Sequence, residues 1–174
     1  MTHPGEGGQV DGSSDSLSAP QGVEASGQAT RSIPLVGRLL AVDVGEKRIG
    51  LALSDPLQKI AHPLTTLIRR AGRRFPMKQL KAQLVEHGPV GFVVGLPLSP
   101  EGLELDWAKE VRAVGSLIEQ KTGLPVAYWD ERMSTGRAMS AIRELGGGLR
   151  GRKAEIDQLA ATTLLQAFLD SRKK

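Results

Sequence analysis

The stretch Leu39-Leu40-Ala41-Val42-Asp43-Val44-Gly45 decides the fold class, because a run of apolar residues ends on a carboxylate and a glycine. A short and continuously apolar segment is typical of a strand buried on both faces. Residues 48–54 (RIGLALS) follow after a tight turn and predict a second strand that pairs with the first as a hairpin. The glycine and small residues of this second strand would let another segment approach its backbone closely.

The rest of the pattern predicts an α/β chain with one mixed, five-stranded sheet that helices cover on both faces. The first strand is expected over 38–43, and further strands are predicted at 60–67, 90–95 and 125–129. Helices are predicted at 75–87, 106–122, about 136–145 and 154–170. In the helix over 106–122, the inward face is expected to hold Trp107, Val111, Val114 and Ile118.

The composition divides the chain into a tail and one domain. Residues 1–34 are rich in Gly, Ser, Gln and Pro and are predicted to be a disordered N-terminal tail, so the folded domain is expected over 35–174. The chain has no cysteine, which excludes disulfides, thiolate metal sites and a cysteine nucleophile. No stretch is apolar enough to span a membrane, and the N-terminus lacks a secretory signal. We therefore expect a cytoplasmic protein with no membrane partner.

The charge indicates a polyanionic partner. The net charge is +4, and residues 1–37 hold four acidic residues against one arginine, so the predicted domain is more basic than the whole chain. A basic domain of this kind favours nucleic acid as a partner. Aromatic residues make up only 3% of the chain, which argues against a surface that stacks unpaired bases.

Acidic residues stand where the predicted strands end. Asp43 ends the first strand, Asp130 and Glu131 end the strand over 125–129, and Glu104 lies in the loop after the strand over 90–95. Ligands of open α/β sheets bind at the carboxyl ends of strands. These acids are therefore expected at one edge of the sheet.

A further acid lies on the last predicted helix, on a face that is otherwise apolar. A carboxylate on a core-facing stripe costs several kcal/mol unless it is paired or bound to a metal. The cluster of acids could share Mg²⁺ or Mn²⁺, which would let the carboxylates converge and would activate water for attack on a phosphodiester. The residues that share this face are Asp157, Ala160, Ala161, Leu164 and Phe168.

Each of these acids also has an interpretation that involves no catalysis. The aspartate of the first strand suits a turn before glycine, and the acid that opens the last helix suits the helix dipole. Asp130 or Glu131 can pair with Arg132, and Glu104 lies in a loop that is polar in any case. Their joint placement at one edge of the sheet favours the functional interpretation.

Basic residues flank the predicted acidic cluster. The glycine-rich loop before Asp157 carries several cations that could hold phosphates, and its alternative is a solvated loop. Candidate substrate-binding residues are Lys47, Arg48, Arg132, Arg150, Arg152 and Lys153. A second cluster, with no acid nearby in sequence, consists of Arg69, Arg70, Arg73 and Arg74.

Four blocks of the sequence resemble the YqgF/RuvX family. They are residues 40–50 (LAVDVGEKRIG), 93–98 (VVGLPL), 129–135 (WDERMST) and 156–161 (IDQLAA), and they occur in the order of the family. The resemblance implies an RNase H-like fold and a nuclease, described either as a Holliday-junction resolvase or as an enzyme that matures the 5′ end of pre-16S ribosomal RNA. It also implies Mg²⁺ or Mn²⁺ as cofactor.

The resemblance carries site residues over at the positions that match. The implied catalytic residues are Asp43, Asp130, Glu131 and Asp157, and the implied metal ligands are Asp43, Asp157 and Glu104. The chain has Gly102-Leu103-Glu104 where many members carry Gly-Thr-Glu. Because side chains alternate along a strand, only one of Asp130 and Glu131 is expected to point into the site.

Of the functions that the resemblance implies, we expect a nuclease that matures the 5′ end of pre-16S ribosomal RNA, and three alternatives remain. A junction resolvase would be expected to act as a homodimer, since it needs two active sites. A catalytically silent nucleic-acid-binding factor would use the basic surface alone. An actin-like phosphotransferase also opens with an Asp-x-Gly hairpin, but it needs two such domains, for which this chain is too short.

Overall fold

The structure is a computed structural model that describes residues 32–69, 74–104, 106–133 and 153–173. Its strands are β1 (Leu39–Val44), β2 (Arg48–Ser54), β3 (Ala61–Ile68), β4 (Gly91–Leu96) and β5 (Val126–Asp130). Its helices are α1 (Met77–His87), α2 (Asp106–Thr122) and α3 (Lys153–Ser171).

Within the described residues, the five strands form one sheet in the order β3-β2-β1-β4-β5. β2 is antiparallel to both β1 and β3, whereas β4 is parallel to β1 and β5 is parallel to β4. The carboxyl ends of β1, β4 and β5 therefore lie at the same edge of the sheet, with Leu96 opposite Asp130. The predicted mixed sheet is confirmed.

Helices pack on both faces of the sheet, as predicted. α1 and α2 share one apolar cluster with alternate residues of β1, among them Leu40 and Val42. α3 shares a second cluster with the other residues of β1, namely Leu39 and Ala41. Side chains two apart in a strand share a face, so Asp43 lies on the α3 side of the sheet.

The predicted boundaries differ from the structure by one or two residues, except that β2 covers 48–54 and α2 covers 106–122 as expected. Val111 and Ile118 are buried on its inner face, whereas Trp107 is only partly buried. The helix predicted at about 136–145 lies outside the described residues, as do residues 1–31 of the predicted tail.

The folded body begins before Leu35, the first residue that the sequence assigned to the domain. The Ile33 side chain packs against the cluster under α3. The carbonyl oxygens of Ile33 and Pro34 both accept hydrogen bonds from Arg172, at 3.1 Å each. Residues 33 and 34 therefore belong to the packed domain.

Among the described residues, no helix combines the length and the apolar character that a membrane span requires.

Candidate active site

Three carboxylates from three different elements line one cleft at the carboxyl edge of the sheet. The cleft has a volume of about 670 Å³. Asp43 comes from the end of β1, Glu131 follows β5, and Asp157 lies near the N-terminal end of α3. These residues are separated by up to 114 positions in sequence, and the sheet edge brings them together as the sequence predicted.

Gly50 places Asp157 next to Asp43. Gly50 pairs with Asp43 across β1 and β2, and a Cβ atom added to Gly50 would lie 2.5 Å from the carbonyl carbon of Asp157. Real Cβ atoms do not approach that closely, so only glycine lets the backbone of α3 rest on β2. Thr66 of β3 fixes the same end of α3, because its hydroxyl donates to the Ala154 carbonyl at 2.8 Å.

Asp157 is buried and has a charged partner. The residue is 1% exposed, and Arg48 Nε donates to its Oδ2 at 2.5 Å. A carboxylate in this position requires a countercharge, as the sequence predicted, and the structure supplies a guanidinium from β2. Arg48, which the sequence assigned to substrate binding, is therefore the charged partner of Asp157 in this structure.

Glu131 occupies space that another glycine leaves open. A Cβ atom added to Gly95 of β4 would lie 2.7 Å from Glu131 Oε1 and closer still to the Leu164 side chain of α3. Gly95 thus brings both Glu131 and α3 against the end of the sheet. Asp43 itself is 5% exposed, so it is largely withdrawn from solvent, as Asp157 is.

Asp130 does not line the cleft and instead holds Arg132. Arg132 Nε donates to both carboxylate oxygens of Asp130, at 3.0 and 2.9 Å, and Arg132 Nη2 donates at 2.6 Å. The hydrogen bond that Arg132 donates to Asp130 raises the pKa of the Arg132 guanidinium. Arg132 does line the cleft, so Asp130 orients a basic residue there while Glu131 faces the cavity.

Glu104, predicted as a metal ligand, is not brought to the cleft. It forms an ion pair with Arg112 of α2, whose Nε donates to Glu104 Oε1 at 2.6 Å. The hydrogen bond from Arg112 lowers the pKa of the Glu104 carboxyl. The Glu104 side chain, in the loop before α2, therefore pairs with α2 and does not join the acidic cluster.

Four of the six candidate substrate-binding residues lie at the cleft. Those that line it are Lys47, Arg48, Arg132 and Lys153. Arg150 and Arg152 lie outside the described residues.

The sequence did not predict three residues of the cleft. Glu46 and Trp107 line the cleft, and Gly95 shapes it. A glycine inside the all-apolar strand over 90–95 was a usable signal for Gly95. Trp107 had no such signal, because its helical spacing assigned it to the core.

The donor chemistry of the cleft fits a hard divalent cation, since Asp43, Glu131 and Asp157 offer only carboxylate oxygens. No group of three His, Cys, Asp or Glu side chains within the described ranges is close enough to hold a metal ion as arranged here. Arg48 occupies the Oδ2 atom of Asp157 in this arrangement.

Comparison with known proteins identifies the family. The family model described as "RuvX: Holliday junction resolvase" matches residues 37–171. A relative from Cereibacter sphaeroides is 40% identical over 80% of this chain and 86% of its own length, and one from Lactobacillus delbrueckii subsp. bulgaricus is 41% identical over 79% and 99%. Both are provisionally named pre-16S rRNA nucleases.

Among solved structures, T. thermophilus RuvC in complex with a Holliday junction substrate aligns with a TM-score of 0.47 and 15% identity, over 78% of this chain and 95% of that chain. The family model spans nearly the whole described body, and each of the two relatives covers about four fifths of this chain. The chain belongs to the RuvX family.

Proposed function

We propose that the chain is a metal-dependent nuclease that hydrolyses phosphodiester bonds of structured nucleic acid. The observation that carries this proposal is the convergence of Asp43, Glu131 and Asp157 on one cleft that basic residues also line. A protein that only binds nucleic acid gains nothing from buried acids at its binding surface, because they repel phosphate.

Asp43 and Asp157 would hold Mg²⁺ or Mn²⁺ in this proposal. When bound, such a cation supplies the charge that stabilises an attacking water and a departing oxygen. Glu131 completes the acidic set or orients the water. Glu104 has no part in it, because its carboxylate is committed to Arg112 outside the cleft.

The basic residues bind and orient the substrate. Lys47 and Lys153 are placed to contact phosphates, as point charges that tolerate many backbone geometries. Arg132 presents a planar guanidinium that Asp130 holds in one orientation. Arg48 neutralises Asp157 and, because it also lines the cleft, contacts the substrate.

We infer that the substrate is the 5′ end of pre-16S ribosomal RNA, because the relatives from Cereibacter and Lactobacillus are provisionally named for that precursor. A four-way DNA junction is the second candidate, and it is favoured by the printed description of the matching family model. Cutting a junction on two strands would call for two copies of the cleft and therefore a homodimer.

The test is cleavage of two end-labelled substrates by the purified protein. A pre-16S leader RNA and a four-way DNA junction are incubated with Mg²⁺, Mn²⁺ or EDTA. Asp43→Asn removes one carboxylate of the cleft, and Asp170→Asn is the matched control, because Asp170 is exposed at the far end of α3.

We expect metal-dependent cutting that Asp43→Asn abolishes and Asp170→Asn preserves. The substrate that is cut faster decides between RNA and DNA. If neither substrate is cut while wild type and Asp43→Asn bind both equally well at low salt, the protein is a silent binder and the proposal is refuted.

A further inference from the structure

We propose that Arg69 is a positioning residue that ties two walls of the cleft together and so sets the affinity for the nucleic acid backbone. The inference rests on the proposed function in so far as the cleft binds the nuclease substrate. Arg69 does not line the cleft itself. It acts through the turn between β1 and β2 and through α2.

Arg69 is nearly buried. Its side chain is 3% exposed, which is unusual for a residue that is always charged. Removing a guanidinium from water costs several kcal/mol unless its donors are satisfied. The contacts of Arg69 therefore determine where the segments around it are held.

One set of contacts holds the turn after β1. The backbone N–H of Arg69 donates to the Lys47 carbonyl at 3.0 Å, and Arg69 Nη1 donates to the Gly45 carbonyl at 3.1 Å. The residues of this turn line the cleft. Two hydrogen bonds from one residue thus fix the backbone on both sides of Glu46 and set the direction in which Lys47 leaves it.

The other contacts hold α2. Arg69 Nη2 donates to Glu110 Oε1 at 2.8 Å, and the guanidinium carbon lies 6.0 Å from the centroid of the Trp107 ring. Trp107 and Glu110 are three positions apart, so they share one face of α2. Trp107 lines the cleft, so the same guanidinium contacts a second element that contributes to the cleft wall.

This arrangement needs the planar fork of arginine. The guanidinium donates to a carbonyl and to a carboxylate on two different elements while it lies over an aromatic ring. A lysine has the charge but not the fork or the stacking face, so it cannot make these contacts together. Arg69→Lys therefore keeps the charge and releases at least one wall.

The expected consequence is weaker binding with nearly unchanged chemistry. Asp43 is held by the strand ladder and Asp157 by its contact with Gly50, and neither depends on Arg69. Loosening the turn weakens contacts to the substrate that are equally strong in the ground state and the transition state. Such a loss raises KM and leaves kcat unchanged. Substrate binding must then re-order the released segment, and a cost equal to about one charge-assisted hydrogen bond corresponds to about a tenfold rise in KM.

The test compares Arg69→Lys with Arg112→Lys in the full chain. Arg112 also pairs with a carboxylate, that of Glu104, and lies over an aromatic ring, 4.8 Å from the centroid of Tyr128, but it does not line the cleft. KM and kcat are measured on the substrate that wild type cuts, together with the dissociation constant in EDTA by fluorescence anisotropy. Glu110→Gln, which weakens the tie between Arg69 and α2, is the second variant.

We expect KM and the dissociation constant to rise about tenfold for Arg69→Lys and about threefold for Glu110→Gln, with kcat within about twofold of wild type. Arg112→Lys should leave all three near the wild-type values. If Arg69→Lys fails to fold, Glu110→Gln decides by the same criterion.

An Arg69→Lys or Glu110→Gln enzyme whose KM matches that of Arg112→Lys, or that loses kcat at unchanged KM, overturns the inference. Failure of the proposed function is recognised separately, because then the wild type itself cuts neither substrate. The dissociation constants in EDTA still decide the role of Arg69 in that case.

Discussion

Gly50→Ala is the substitution whose effect follows most directly from the packing of α3 on β2. The added methyl carbon would lie 2.5 Å from the carbonyl carbon of Asp157 and closer still to its oxygen, whereas ordinary contacts begin at 3.4 Å. The obstacle is backbone, so no side chain can rotate away. The N-terminal end of α3 must move by about 1 Å, because interiors are packed without free space.

The displacement affects both stability and the candidate site. Overpacking of this kind costs about 3 kcal/mol, at the upper end of the usual range because backbone must yield. For a domain of this size that lowers Tm by about 10 °C. Since Asp157 moves with α3, we also expect about a 100-fold loss of cleavage rate, as misplacement by 1 Å commonly produces.

Two other glycines of the sheet serve as graded controls. At Gly91 of β4, an added Cβ atom meets only side-chain atoms, the nearest at 3.3 Å, so Gly91→Ala should change stability by no more than about 0.5 kcal/mol. At Gly95, it meets the ends of the Glu131 and Leu164 side chains, so Gly95→Ala should be intermediate in stability.

Thermal unfolding followed by circular dichroism and single-turnover cleavage measure both effects. Replacing glycine by alanine restricts the unfolded chain and is stabilising where the native site has room. A Gly50→Ala protein as stable and as active as Gly91→Ala would therefore refute the contact between β2 and α3.

The other predictions concern a buried ion pair, an acid-sensitive loop and the basic residues of the cleft. Arg48→Met leaves the buried Asp157 without its guanidinium, so the free energy of unfolding in urea and EDTA should fall by about 2 kcal/mol. Added Mn²⁺ should then stabilise this variant more than wild type, and equal stabilisation would contradict a cation role for Asp157. The pKa of Asp55 is lowered, chiefly by the backbone N–H of Ile60, so its contribution to stability is full above the usual value of 3.8 and is lost as pH falls through the lower folded pKa. Asp55→Ala should therefore show a smaller decrease in Tm than wild type between about pH 5 and pH 2, and parallel curves would exclude this linkage. Lys47→Ala and Lys153→Ala should each reduce the slope of log affinity against log salt by about 0.7 to 0.9, and an unchanged slope would mean that the lysine contacts no phosphate.

Local pattern was sufficient for the elements and for the acids at their ends. The apolar run of β1 and the periodicity of α2 depend on neighbours in sequence, which is why 106–122 was predicted to the residue. Strand ends in a parallel arrangement meet at one edge of a sheet, so the order of the elements along the chain was enough to place Asp43 at the same edge as Asp130 and Glu131, without deciding which of those two faces the site. Trp107 was not expected at the cleft, because the periodicity of its helix assigned it to the core.

The sequence by itself thus determined the strands, the helices and the group of acids from which a metal site would be built. Only the tertiary structure decided which acids share the cleft and what each is paired with. Arg48 reaches Asp157 across 109 positions, and Glu104 turns to Arg112 instead of the acidic cluster. Such partners depend on strand register and on the close approach of other segments at Gly50 and Gly95. A glycine in the sequence indicates that something can approach there, but it does not say which segment does, because that depends on contacts between elements far apart in the chain.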